Sequence, residues 1–147
     1  MAYETRSPQG ASVWRLKVLR VFSAPGKTEA ECQRTTQRDH EPEVTAPARV
    51  LVDKNGVYVD GDIEYKFPVI AGVSWDESPR RYEITAVDAR VATPAGTFDD
   101  CLEVTYTIAG GDAGFGRRLY APNVGFVYES CSDETDPFEI QLASISE

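Results

Sequence analysis

Histidine is almost missing from this chain. His40 is the single one among 147 residues, and it stands in His40-Glu41-Pro42-Glu43, a proline-containing acidic segment. A Ser-His-Asp triad and a two-histidine metal site are therefore out of reach within one chain, and His40 reads as a solvated loop residue. Cysteine is also scarce. Cys32, Cys101 and Cys131 make an odd set with no CxxC spacing, which excludes an ordinary structural zinc site. The set allows one disulfide plus a thiol, or three thiols, and three reduced cysteines are the expectation. A symmetric hairpin through Gly110–Gly114 places Cys101 opposite Val124 and on the face away from Phe98 and Leu102, as an accessible or second-layer thiol. Cys131 then lies about 20 Å further along a straight strand at ~3.3 Å per residue, too far for a disulfide. Positive charge runs short as well: 15 Lys and Arg face 24 Asp and Glu, a net charge of −9. Such a surface repels phosphate backbones and anionic lipid, so nucleic acid and anionic membrane surfaces are not expected partners. No apolar run approaches the ~20 residues that cross a bilayer. The opening MAYETRSPQG has no apolar h-region, so no signal peptide is read in this chain.

Helical periodicity is weak throughout, and strand signals fill the chain. A composition of 41% hydrophobic and 27% charged residues suits a globular protein, and the length suits one domain over residues 1–147. In Ala11–Ser23, Trp14, Leu16, Val18 and Phe22 fall on one face of a period-2 pattern. Ala24-Pro25-Gly26 then turns the chain. Thr28–Arg38 has no apolar face, and Thr35 and Thr36 favour a strand. Asn55-Gly56 is the preferred dipeptide of a two-residue type I′ hairpin. That register sets Val52 opposite Val59 and Asp53 opposite Tyr58, with Val50, Val52, Val57 and Val59 on one face. Thr93-Pro94-Ala95-Gly96 closes a second hairpin between Arg81–Thr93 and the strand bearing Phe98, Leu102, Val104, Tyr106 and Ile108. A Gly-rich turn at Gly110–Gly114 leads into Phe115–Pro122, where Pro122 and Gly125 predict a bend or bulge. Gly125–Ser130 and Phe138–Ser146 form a last pair across the acidic loop Ser132–Asp136. About nine or ten antiparallel strands with a one-sided apolar pattern predict an all-β sandwich or flattened barrel.

Few residues stand out for chemistry. Asp53, Asn55, Asp60 and Asp62 imitate a calcium loop, but Gly56 comes too early and the flanks are β, so no metal site is assigned. Asp99 and Asp100 are adjacent and point to opposite faces of a regular strand, which rules out a carboxylate pair of the glycosidase kind. Asp100 is the one polar residue on an apolar face. A bulge that turns it outward, or an ion pair with Arg90 across the hairpin, accounts for it. Trp14, Trp75, Phe67, Phe98 and Tyr120 can line an apolar pocket, although aromatic residues of this kind also serve as plain core. The glycines of GGDAGFG precede no helix and so cradle no phosphate. No cofactor motif occurs. The candidates for ligand contact are Trp14, Trp75, Asp100 and Tyr120.

Three blocks carry a family resemblance: Phe67-Pro68-x-x-x-Gly72-x-x-Trp75, Pro94-Ala95-Gly96-Thr97-Phe98-x-x-Cys101-Leu102, and Tyr120-Ala121-Pro122-x-Val124-Gly125-x-Val127. Together they resemble a group of bacterial envelope proteins, often lipoprotein-like, of all-β build and unassigned activity. Members of that group begin on a Gly-x-x-Trp-x-Tyr strand, whereas this chain opens at Ala2-Tyr3. The resemblance supplies no catalytic residues. It implies export to the periplasm or cell envelope, and a non-catalytic domain that binds or interacts with a protein or small-molecule partner. The alternative is a carrier holding a small apolar ligand or lipid between its sheets.

Overall fold

The computed structural model describes residues 1–109, 114–132 and 137–145. The chain begins in β1 (Ala2–Ser7) and reverses into the long β2 (Gly10–Ala24). It continues through β3 (Lys27–Arg38), β4 (Val44–Asp53), β5 (Gly56–Val59) and β6 (Asp62–Lys66). After the connector 67–73 come β7 (Ser74–Glu77), β8 (Arg80–Thr93), β9 (Gly96–Ile108), β10 (Phe115–Ala121), β11 (Gly125–Cys131) and β12 (Phe138–Ser144). All twelve belong to one antiparallel sheet, in the order β6-β5-β4-β3-β2-β1-β12-β11-β10-β9-β8-β7. Every neighbouring pair except β1–β12 is consecutive in the chain. Among the described residues no helix is long and apolar enough to cross a membrane.

The expected all-β antiparallel class holds, but the sandwich of nine to ten strands does not. Two packed sheets are replaced by one sheet that curls nearly shut, so its apolar face folds onto itself. The additional strands are the short β1, β6 and β7, which carry too few apolar residues to announce themselves. The sheet's free edges, β6 and β7, come together at a seam. There the Ile63 N–H donates to the Glu77 carboxylate at 3.2 and 3.3 Å, a side chain standing where a strand bond would be. The connector lies along β8, with Gly72 N–H to Ile84 O and Ile84 N–H to Val73 O both at 2.8 Å.

Several local registers differ from expectation for identifiable reasons. The β4–β5 pairs are Val50↔Val59, Leu51↔Tyr58 and Val52↔Val57, two residues from a type I′ register. Asp53 Oδ1 accepts from Asn55 N–H at 2.7 Å and Gly56 N–H at 3.2 Å, and this Asx turn lengthens the loop. A shift of two preserves facing, so the four valines still share a side. Gly56 is needed for close approach, since a Cβ there would run into the Tyr65 carbonyl. The Pro94-Ala95 turn forms as read, with Thr93↔Gly96 paired and Gly96 at φ 141°. Residues 122–124 make a tight hairpin turn, not a bend, with Ala121↔Gly125 paired. The predicted turn at Gly110–Gly114 and the acidic loop Ser132–Asp136 fall largely outside the described residues.

Asp100 takes φ 54° and is exposed, while Arg90 pairs with Asp99 at 3.3 Å. This bulge overturns the expected facing of Cys101. Instead of an accessible thiol, Cys101 is fully buried beside Leu102, because the extra residue rotates it into the second core cluster with Tyr3, Leu119, Val127 and Leu142. It also does not face Val124, because the β9–β10 register runs Leu102↔Tyr120 to Thr107↔Phe115. All three cysteines are free thiols. Cys131 pairs with Gly116 and so lies level with Tyr106, five positions along the sheet from Cys101. Burial raises the thiol pKa of both Cys32 and Cys101.

Candidate functional site

Nine of the twelve strands send a side chain to one cavity of about 200 Å³ inside the curled sheet. Its apolar wall is aromatic. Trp14 from β2 stacks on Tyr3 from β1, with ring centroids 4.1 Å apart and planes 16° from parallel. Phe126 from β11 continues the shelf, at 5.5 Å from Tyr3 and 6.5 Å from Trp14. The Tyr3 hydroxyl donates to the Phe126 carbonyl at 3.0 Å, which ties the ring into the sheet. Burial pushes the Tyr3 phenol up to about 12. Leu16, Ala48, Val50, Val59 and Ile140 complete the apolar lining.

The opposite wall is charged. Arg118 (β10) and Glu129 (β11) are cross-strand partners, and the Arg118 Nε donates to Glu129 Oε2 at 3.1 Å. The same oxygen accepts the buried Tyr106 hydroxyl at 2.7 Å. Glu64 from β6 accepts the Tyr120 hydroxyl at 2.5 Å and stands 3.8 Å from Arg118 Nη1. Arg118 also lies over the rings of Tyr82 and Tyr106, 5.4 Å from each centroid. Burial works against its charge, but Glu129, Tyr120 and Glu64 outweigh that and hold the guanidinium above its ordinary range. Tyr106 and Tyr120 are likewise raised, first by burial and then by Glu129 and Glu64 respectively. Across the cavity Arg34 from β3 sits over Trp14 at 5.6 Å and 3.8 Å from Asp60.

The arrangement is suited to gripping a molecule with an apolar body and a polar end. Glu64 and Glu129 line the space with carboxylate acceptors, and Arg118 is immobilised by its partners. None of the lining side chains is a serine, threonine, cysteine, histidine or lysine. Among the described residues no three His, Cys, Asp or Glu side chains converge as a metal-binding group. A second, wider depression of about 640 Å³ lies between the β1–β2 turn, residues 38–41 and Phe138. It is larger, but it is lined mostly by polar residues of turns and strand ends, so the aromatic cavity is the better-built site.

Of the four candidate residues, Trp14 lines this place and forms its shelf. Tyr120 lies behind the lining, bonded to Glu64 and with its ring 6.0 Å from Phe126. Trp75 is instead core, stacked on Tyr82 at 5.6 Å, with its indole N–H unpartnered. Asp100 is on the surface at the β9 bulge. Phe67 lies half-exposed in the connector, Phe98 joins the second core cluster, and His40 stands exposed in a turn. Arg118, Glu129 and Glu64 were missed. In Phe115–Ala121, Arg118 shares a period-2 face with Tyr120, and in Gly125–Cys131, Glu129 shares one with Val127 and Cys131. A charge on each of two apolar faces joined by one short turn is the signal that finds them.

No family model and no curated protein matches the chain. Two solved structures share its fold. A candidate lipoprotein of Parabacteroides distasonis ATCC 8503 aligns over 99% of this chain and 93% of its own, at 17% identity and a TM-score of 0.67. A candidate exported protein of Bacteroides fragilis NCTC 9343, said to have a YmcC-like fold, aligns over 99% and 95%, at 15% identity and a TM-score of 0.67.

Proposed function

We propose that this chain is a non-catalytic binding domain of a bacterial envelope protein, and that the cavity between Trp14 and Arg118 holds its ligand. The observation that carries this reading is the pairing of a stacked aromatic shelf with a fixed, partly buried Arg118–Glu129–Glu64 wall around one cavity. Binding pockets combine apolar walls with a few polar groups in this way. The lining has no serine, threonine, cysteine, histidine or lysine, and its one hydroxyl, the Tyr3 phenol, is donated to the Phe126 carbonyl, which favours binding over acyl-transfer chemistry. The lipoprotein and exported proteins of the same fold support an envelope location.

The shelf itself favours a second reading, a carrier of a small apolar ligand. At ~30 Å³ per water-sized unit, about 200 Å³ accommodates roughly seven such units. That suits a single ring with a substituent and is too small for a whole lipid tail. Titration with p-cresol, followed by amide shifts, tests the site: Tyr3, Trp14 and Phe126 should respond. Ala48, a small buried residue of the lining, offers the control. Ala48→Phe fills the cavity and should abolish the response. Binding that survives this change, or shifts confined to other surfaces, refutes the assignment.

A further inference from the structure

The charges around the aromatic cavity are unevenly matched. Arg34, Arg118, Glu64 and Glu129 line it, and Asp60 stands 3.8 Å from Arg34. Two cations thus face three carboxylates. Glu129 is well engaged, since one of its oxygens accepts both Arg118 Nε at 3.1 Å and the Tyr106 hydroxyl at 2.7 Å. Glu64 has no such cation. Among the described residues its one hydrogen bond comes from the neutral Tyr120 hydroxyl at 2.5 Å. Arg118 Nη1 stays 3.8 Å away, outside hydrogen-bond reach. The Glu64 side chain is 21% exposed against 9% for Glu129, so it is held in the wall yet accessible.

The two arginines are less open to a ligand. Arg118 is engaged by Glu129 and by the faces of Tyr82 and Tyr106. Tyr3 covers Trp14 from the β1 side and Arg34 covers it from the β3 side, so both faces of the indole are taken. Arg34 thereby fills the cation–π position that Trp14 would otherwise offer. Arg34 and Asp60 are 38 and 44% exposed, where water screens their charges. Glu64 sits deeper, where a charge acts more strongly. The field of the whole molecule has the same sign, from a net charge of −9. We infer that the ligand of this cavity is a monocation, a primary ammonium carried on a single aromatic ring, whose N–H donors meet Glu64 while the ring fills the apolar lining. This rests on the cavity being a binding site, and it adds the sign of the ligand's charge.

Three ligands of similar shape test this on the full chain by amide shifts: neutral p-cresol, cationic 4-methylbenzylamine and anionic 4-methylbenzoate. The amine should move the amides of Tyr3, Trp14 and Phe126 and bind about tenfold tighter than p-cresol, with the benzoate weakest. Its affinity should fall as salt rises. Glu64→Gln keeps an acceptor for the Tyr120 hydroxyl and should cut the amine's advantage over p-cresol to about twofold or less. Ala48→Phe should erase the amine's shifts at these amides, which separates them from binding on the acidic surface. If p-cresol moves the cavity amides and the amine binds no tighter, or the benzoate binds tighter, the cationic ligand is refuted while the binding site stands. If none of the three moves them, both readings fall. An amine preference that survives Glu64→Gln in a folded variant refutes the role of Glu64, and the comparison on the unaltered chain decides the sign of the charge by itself.

Discussion

Arg118 places a cation between two carboxylates and two tyrosine faces, with 13% of its side chain exposed, against 9% for that of Glu129. Removing one member of such a group leaves the others buried without their partner, which costs more than the pair itself contributes. Arg118→Met should therefore lower the unfolding free energy by ~3–5 kcal/mol in denaturant titration. Adding Glu129→Gln to that variant should restore part of the loss, and additive losses would show that the two residues are uncoupled. Gly116 answers to the same tyrosine for a steric reason, because a Cβ there overlaps the Tyr106 ring. Gly116→Ala should displace the ring from Glu129 and destabilise by at least ~1–3 kcal/mol, readable as a lowered denaturation midpoint. At this scale the sequence was legible only in part. The polar residue on an apolar face that attracts notice is Asp100, and a one-residue bulge carries it to solvent. The ones that matter, Arg118 and Glu129, become visible only when two strands are paired in register, which the bulge at Val127 obscures: Leu119↔Tyr128 is followed by Tyr120↔Phe126.

Between elements, the β6–β7 seam depends on a carboxylate doing the work of a strand. Glu77→Ala removes the acceptor for the Ile63 N–H. The amide of Ile63 should then exchange markedly faster, while amides in the β9–β10 ladder keep their protection. Unchanged exchange at Ile63 would mean that the seam is held otherwise. Strands with alternating apolar residues and recognisable turns, such as β2, β4, β8 and β9, were readable from the chain. So was β3, despite its polar composition, because Thr35 and Thr36 outweigh the helix formers before them once β2 and β4 offer twelve and ten pairing positions. Asn55-Gly56 marked the hairpin correctly, but its register was decided by the Asp53 carboxylate, a neighbour outside the dipeptide.

For the molecule as a whole, the expected two-layer sandwich rested on the premise that an apolar sheet face needs a second sheet. The premise was sound, but curling satisfies it equally well, and nothing in period-2 patterning distinguishes the two. The interior that results is rich in phenols, which sets its behaviour in alkali. A tyrosine raised on folding keeps its proton in the native state while the unfolded chain loses it. Stability is therefore intact below the unfolded value of 10.0 and declines as pH climbs toward the folded value, about 12 for Tyr3. Tyr106 and Tyr120 are raised in the same direction and steepen the decline. Phenolate absorbance should show these three titrating only together with cooperative unfolding. A smooth, reversible ionisation of all seven tyrosines near pH 10 would contradict the burial described.

Among the described residues, the single pairing between strands distant in sequence, β1 with β12, has a consequence for how the chain comes to be folded. Each half, β1–β6 and β7–β12, is a ribbon of successive hairpins that can form from nearby residues, so its loop-closure entropy is small. Ala2↔Ser144 and Arg6↔Glu139 must wait until β12 has followed the strands between. A chain released gradually through a narrow passage would thus assemble two half-shells first and zip them together last. Joining the termini by a short linker and opening the connector 67–73 should turn that last step into another hairpin. Such a permutant should refold faster than the parent while keeping the same sheet.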